Sequence, residues 1–368
     1  MRPRPQVKTF SAVSDGSFPC KNPPAHAPIA RGLLVHCSGR VGVAFDYMTA
    51  DFAVSFRDAA CWEWMASEDI FGVMDPKNGN IAYCCILGNM GEEFGLFAYL
   101  GDQGLQSLQA ALSGRLLNHG PMFLDNALTC SFEDRNTLST RDLALIKELG
   151  LTFRGRRKWP WLRYREIGYY PWYMDDEQAS FMAQVLEQAL DVALLCQEGR
   201  SVLDTPDGAI PVRVLAPSGS WEFRAVETKE PQITVTVPVL LDEFLQRYSL
   251  PSASADICEI DMFYLPSPIQ ETRGNGPYYP TACILLDSRG LICGMELIKD
   301  QVEEAAQCVN LLPDYIADQR RLPQEVRVSN LVAYLICQGA CNQLGISLKR
   351  VKKLRWAPQA RRELSRRF

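Results

Sequence analysis

The sequence is poor in the residues and spacings that mark common active sites. It has three histidines in 368 residues, His26, His36 and His119, and they are scattered. None of the thirteen cysteines forms a Cys-x-x-Cys pair, so a structural zinc site is not expected. No apolar run reaches the roughly eighteen residues that a membrane span needs. The sequence therefore predicts no metal site, no resident cofactor and no membrane span.

The composition is that of a globular protein large enough for two domains. Hydrophobic residues make up 47% of the chain, charged residues make up 22%, and the formal net charge is -5. This acidic balance argues against a surface that coats nucleic acid everywhere, but it permits a local basic patch. Cysteines within apolar runs, such as Cys84 and Cys85, are typical of buried thiols in a reducing compartment. We therefore predict a cytoplasmic protein.

Hydrophobic periodicity divides the chain into a leader and two domains of α+β type. Residues 1–47 contain many prolines and little periodicity, and we predict a disordered leader or a non-native extension upstream of Met48. An N-terminal α+β domain is predicted over residues 51–199, where strands and helices alternate without a repeat. A linker follows, and residues 207–368 are predicted to form a mixed α/β domain with a basic terminal helix.

An aromatic and basic segment lies near the middle of the first domain. Residues 159–173 hold seven aromatic rings in fifteen positions. Because two prolines and a glycine interrupt them, we predict an irregular stretch rather than a regular element. The rings either plug a core, with arginines stacked on their faces, or stack on bases beside cations that neutralise phosphates. The candidates for nucleic-acid binding in this region are Arg154, Arg156, Arg157, Lys158, Trp159, Trp161, Arg163 and Tyr164.

The end of the chain carries a concentration of positive charge. Residues 349–368 contain nine basic residues and the single acid Glu363. Such a run is either a solvated tail or a surface that contacts phosphates. The candidates for nucleic-acid binding here are Lys349, Arg350, Lys352, Lys353 and Arg355.

Several short motifs, each present once, are distributed along most of the chain. They are Trp62-x-Trp64, Asp69-Ile70-Phe71-Gly72-Val73, Gly88-x-x-Gly91-Glu92-x-x-Gly95-Leu96, Leu149-Gly150-Leu151-x-Phe153-Arg154-Gly155, Trp159-Pro160 and Gly168-Tyr169-x-Pro171-Trp172. Together they resemble an uncharacterised two-domain bacterial family that is known only as domains of unknown function. The resemblance implies two domains and is silent on mechanism.

The predicted order of elements in the second domain is three strands, a helix, a strand, a helix, a strand and a last helix. This order resembles the ribonuclease H-like fold of integrases and transposases, and a related mixed sheet is the alternative. The resemblance implies two divalent ions held by three carboxylates. It places the first carboxylate at Asp261 and the third at Glu363, 34 positions beyond Ser329. Ser329 and Asn330 stand where the second acid belongs, and neither supplies an anionic bridge.

Three functions are compatible with these patterns. The favoured function is non-catalytic binding of nucleic acid through the basic C-terminal helix and the aromatic segment. The second is a metal-dependent nuclease that uses Asp261 and Glu363 with Mg²⁺ or Mn²⁺; the structural alternative places these acids at a strand edge and on a solvated helix. The third is an interaction scaffold with a protein partner.

Overall fold

Two β-sheets with helices packed against them make up the protein in a computed structural model. The structure describes residues 47–91, 93–113, 125–206, 208–228, 252–270, 276–301 and 304–367. Helices and strands are mixed throughout these ranges, so the predicted α+β class is confirmed. The predicted leader lies outside the described residues except for its last position, Tyr47.

The first sheet has seven strands. They are β1 (Phe71–Met74), β2 (Ile81–Leu87), β3 (Gly95–Leu100), β4 (Ala127–Glu133), β5 (Trp159–Arg165), β6 (Ala209–Leu215) and β7 (Trp221–Glu227). Their spatial order is β5-β4-β3-β2-β1-β6-β7. Neighbouring strands are antiparallel except β1 and β6, which are parallel.

Helices cover both faces of the first sheet because successive side chains of a strand point to opposite sides. The helices are α1 (Tyr47–Ala59), α2 (Gly101–Leu112), α3 (Thr140–Glu148) and α4 (Asp176–Gln197). Cys84 and Ile86 of β2 share a core with α1 and α4. Tyr83 and Cys85 face the other way and pack with Leu105 of α2.

The helix α4 is 22 residues long, and its length and composition would allow it to cross a membrane. However, 56% of its most apolar window is buried inside the protein. Its apolar residues, among them Met182, Leu186 and Ala189, pack in the core of the first sheet. These contacts account for the hydrophobicity of the helix without a membrane.

The second sheet has five strands. They are β8 (Ile257–Tyr264), β9 (Thr281–Leu286), β10 (Ile292–Ile298), β11 (Glu325–Val328) and β12 (Ser347–Arg350). The order is β10-β9-β8-β11-β12, in which β8, β11 and β12 are parallel and the β8–β9–β10 neighbours are antiparallel. A 3-10 helix (Ala305–Asn310), α5 (Leu311–Gln319) and α6 (Leu331–Leu344) cover one face, and α7 (Ala357–Arg367) covers the other. The predicted sequence of elements is therefore observed, and its ribonuclease H-like nature stays a prediction.

The aromatic segment begins with a regular strand, which corrects the prediction of an irregular stretch. Residues Trp159–Arg165 form β5 and pair with β4 over seven positions. The strand tolerates Pro160 because β5 lies at the edge of the sheet, where β4 is its one neighbour among the described strands. A proline is compatible both with an edge strand and with an irregular segment, and the sequence pattern alone did not distinguish the two.

The hairpin of β6 and β7 belongs to the first sheet, although its residues follow the predicted linker. Gly72 and Val73 of β1 pair with Val212 and Arg213 of β6. A parallel pair of strands needs a long crossover connection, and the chain between β1 and β6 supplies it. Long-range pairing thus attaches residues 209–227 to the first sheet.

Replacing Gly95 by alanine is expected to destabilise the protein by about 1–3 kcal/mol, because added volume in a packed core forces the backbone to shift. An added Cβ would lie 2.3 Å from the carbonyl oxygen of Cys130 on the neighbouring strand. The matched control is Gly339→Ala in α6, where nothing lies within 4 Å. Helix propensity predicts a gain of about 0.5–1 kcal/mol for that control. Urea unfolding measures both, and equal effects would contradict the close approach at Gly95.

Candidate functional site

A cleft of about 620 Å³ opens where the parallel pairing of β8 and β11 ends, between Asp261 in the middle of β8 and helix α7. Ligands of open α/β sheets commonly bind outside the carboxyl ends of parallel strands. The lining residues are Asp261, Ser329, Asn330, Lys352, Lys353, Leu354, Ala357, Pro358, Arg361, Arg362, Ser365 and Arg366. Strand β8, the segment after β11, the loop after β12 and helix α7 thus all contribute to the cleft.

Helix α7 is fixed against the sheet by the carboxylate of Glu259. This side chain comes from β8, and its residue is 2% exposed. Its two oxygens accept hydrogen bonds from the backbone amides of Arg355 (2.6 Å), Trp356 (2.8 Å) and Ala357 (3.0 Å). The first amides of a helix have no partner within the helix and carry partial positive charge, so a carboxylate stabilises them. Glu259 therefore anchors the helix that forms one wall of the cleft.

Asp261 forms the floor of the cleft together with Arg361. The Nη2 atom of Arg361 lies 2.9 Å from Oδ1 and 2.7 Å from Oδ2 of Asp261, and its Nε lies 3.1 Å from Oδ2. The hydroxyl of Ser329 donates a further hydrogen bond of 3.1 Å to Oδ1. Both oxygens of this fully buried carboxylate therefore have protein donors.

The rest of the cleft is positively charged. Lys352, Lys353, Arg362 and Arg366 line it and are exposed. Within the ranges that the structure describes, none of the four lies in an ion pair with a carboxylate. Asp261 is the one acid among the described lining residues, and Arg361 neutralises it. The cleft is therefore a surface with four uncompensated positive charges, which favours an anionic ligand.

The structure does not bring the two proposed nuclease acids together. Glu363 is exposed, accepts a hydrogen bond from Gln359 (2.9 Å), and does not line the cleft. It lies two residues after Arg361, which is about 200° around a helix of 3.6 residues per turn. Arg361 faces Asp261, so Glu363 is turned away from it.

The residues around Asp261 do not fit a two-metal site. Metal ions of that kind need several oxygen ligands. Here the Arg361 guanidinium occupies the carboxylate, and Asn330 is used structurally: its Oδ1 accepts from the Ala333 amide at the start of α6 (2.7 Å), and its amide donates to the Met262 carbonyl (3.2 Å). No group of three or more potential metal-binding side chains was found among the described residues.

The aromatic residues of β5 pack within the first domain. The ring of Trp159 lies 5.6 Å from that of Phe153 in an edge-on contact. The hydroxyl of Tyr164 donates to Oδ1 of Asn126 (3.1 Å). Trp159 and Trp161 also pack against a buried cluster that includes Phe153. These contacts favour the first alternative, in which the rings fill a hydrophobic core, over a surface that stacks on bases.

Arg163 packs among these aromatic rings. Its Nη2 donates to both oxygens of Asp142, at 2.9 and 2.7 Å, and both side chains are less than 10% exposed. The guanidinium also lies over the rings of Trp161 and Tyr173, at 4.7 and 4.3 Å from their centroids. An arginine that is buried, paired and stacked in this way is structural. Arg163 is therefore not accessible to a phosphate.

The four cations before β5 are all exposed, but two of them have protein partners. Arg156 forms an ion pair with Asp134. The amide of Arg157 also donates to Asp134 (2.8 Å), and its guanidinium donates to the carbonyl of Gly91 (2.8 Å). The Arg157 amide is the main cause that lowers the pKa of Asp134. Arg154 and Lys158 form no ion pair within the described part of the chain.

The C-terminal candidates lie in β12 (Lys349 and Arg350) and in the segment after it (Lys352, Lys353 and Arg355), and all are exposed. Lys349 pairs with Glu325, whose pKa is lowered by Lys349 and then by Arg327. Arg355 lies over the ring of Trp356, 4.4 Å from its centroid. Of the predicted C-terminal candidates, only Lys352 and Lys353 line the cleft.

Sequence reasoning missed three arginines of the cleft, Arg361, Arg362 and Arg366. They belong to the basic run that was recognised, but the candidate residues ended at Arg355. Their spacing was informative, because positions 362 and 366 lie one turn apart on the same side of a helix. The partner of Arg361 was not visible, since Asp261 lies 100 positions earlier in the chain.

Comparison with protein families divides the chain into two parts. Residues 49–213 match a domain of unknown function (DUF7309), and residues 245–365 match a second domain of unknown function (DUF6930). The chain thus contains two domains of unknown function, as its motifs predicted. No curated protein has a significant match to it. These matches assign no activity to either domain.

Proposed function

We propose that these two domains form a non-catalytic nucleic-acid-binding protein whose phosphate-contacting surface is the basic cleft. The observation that carries the proposal is the set of four exposed cations, Lys352, Lys353, Arg362 and Arg366, around one acid that Arg361 already neutralises. Lysine and arginine side chains bind nucleic acid mainly through phosphate charge and release of counterions. A cytoplasmic location remains part of the proposal.

A nuclease has weaker support than a binding protein. Asp261 is paired with Arg361, and Glu363 lies outside the cleft. A catalytic site of the predicted kind needs carboxylates free to bind Mg²⁺ or Mn²⁺. Among the described lining residues the one carboxylate is held by Arg361, so the cleft fits the binding of a phosphate better than its metal-assisted hydrolysis.

The first test is fluorescence anisotropy of labelled DNA and RNA, titrated with the full-length protein at several salt concentrations. The expected result is binding that weakens steeply with salt. The double substitution Arg362→Glu/Arg366→Glu should weaken it by about 100-fold or more at low salt, because two phosphate contacts become repulsive.

The matched control is Arg154→Glu/Lys158→Glu, which changes the net charge equally at two exposed residues outside the cleft. The affinity of this control variant for nucleic acid should stay within a few-fold of that of the wild type. Equal losses of affinity in the two variants would mean that the binding surface lies elsewhere, or that it includes both the cleft and the basic segment before β5. Absence of nucleic-acid binding at low salt would overturn the proposal and favour the protein-interaction scaffold.

A further inference from the structure

We infer that the cleft binds the sugar–phosphate backbone of a double helix and does not read bases. The inference rests on the proposed function and names its ligand class. Nucleic acids offer a protein two kinds of surface, charged phosphates and flat bases. The side chains that line the cleft are suited to the first kind alone.

The lining residues provide charge and hydrogen bonding but no stacking platform. Among the described residues, those around the cleft are cationic, hydroxyl, amide, carboxyl or small aliphatic, and none has an aromatic ring. Proteins that bind single strands without sequence preference usually stack successive bases on aromatic rings. Without such rings, a single strand with exposed bases gains little beyond its phosphate contacts.

The tryptophan nearest in sequence to the cleft is already engaged. Trp356 packs against the core under α7, and its amide donates to Glu259. The guanidinium of Arg355 covers its ring at 4.4 Å. An added Cβ on Gly290 would meet the same ring at 2.9 Å, so the chain also packs closely against it. Trp356 is therefore part of the structural support of α7 and is not available to stack on a base.

The cations are arranged to meet a densely charged backbone. Arg362 and Arg366 lie one helical turn apart, about 6 Å along the axis of α7. Lys352 and Lys353 enter the same cleft from the loop before the helix. A duplex carries one phosphate charge per about 1.7 Å of its axis, against about 3.4 Å for one strand. Because of this denser charge, each phosphate contact releases more counterion on a duplex (about 0.9) than on a single strand (about 0.7), so the same four contacts contribute more affinity on a duplex.

The experiment compares a duplex with each of its single strands at equal length, using the full-length protein. The duplex is expected to bind at least about tenfold more tightly at low salt, because it offers the denser charge. If the four cations each contact one phosphate, the logarithm of the affinity should fall with the logarithm of salt with a slope of about -3.6. Lys352→Gln/Lys353→Gln should reduce that slope by about 1.8.

Two further arms separate this inference from the proposed function. Duplexes of unrelated base sequence should bind within about threefold of one another, since phosphates carry no sequence information. Single strands that bind as tightly as the duplex would overturn the backbone inference while leaving nucleic-acid binding intact. Strong preference for one base sequence would also overturn it. Failure of every nucleic acid to bind would remove the proposed function itself.

Discussion

Replacement of Arg361 by methionine is expected to destabilise the protein by about 3 kcal/mol, because it leaves a buried carboxylate without its partner. Asp261 is fully buried, whereas the side chain of Arg361 is 25% exposed. Water can therefore reach the site from the cleft, which keeps the expected loss at the lower end of values for buried ion pairs. Thermal or urea unfolding of the purified variant measures the loss.

The double variant Asp261→Asn/Arg361→Met is the control for this prediction. Asparagine keeps the shape of Asp261 and the hydrogen bond from Ser329 but carries no charge. The double variant should recover most of the stability that the single variant loses, because no buried charge is left unpaired. A double variant as unstable as the single one would show that lost packing of Arg361, which lies over the Phe263 ring, causes the effect.

Replacement of Glu259 by glutamine is expected to destabilise the protein by about 2–4 kcal/mol, because three backbone amides at a buried helix start lose a charged acceptor. The glutamine NH₂ group is a donor and would face these amides without forming a hydrogen bond. Helix α7 should detach first. Hydrogen exchange of its amides should accelerate more than that of α6, which does not depend on Glu259.

The matched control is Glu363→Gln on helix α7, the helix that Glu259 anchors. Glu363 is exposed and accepts a hydrogen bond from the side chain of Gln359, so its replacement should change the free energy of unfolding by less than about 0.5 kcal/mol. Equal losses for Glu259→Gln and Glu363→Gln would contradict the anchoring role. Because α7 also carries Arg362 and Arg366, the Glu259 variant should weaken nucleic-acid binding if the proposed cleft is correct.

Much of the second domain could be predicted from local patterns. Helix α6 is one of the helices in the predicted order, and its N-cap residue, Asn330, accepts a hydrogen bond from the amide of Ala333. The turn between β9 and β10 is also held by near neighbours, since Asp287 accepts hydrogen bonds from the amides of Arg289 and Leu291. Such features depend on neighbouring residues, which a sequence displays directly.

The errors arose where distant segments meet. The segment that forms β5 was predicted to be irregular because two prolines and a glycine interrupt it. The edge position of β5 decided its conformation, since an edge strand can lose a donor without leaving a buried acceptor unpaired. The attachment of the β6 hairpin to the first sheet likewise follows from its pairing with β1, and no local pattern specifies that pairing.

The sequence by itself determined the α+β class, the order of elements in the second domain and the concentration of positive charge at its end. The tertiary structure decided the roles of Asp261 and Glu363. From the sequence, Asp261 was compatible with a metal site and with a structural role at a strand edge. The rotation of α7 places Arg361, and not Glu363, against it. A helix turns about 100° per residue, so a shift of two positions separates these outcomes, and packing against the sheet fixes that rotation.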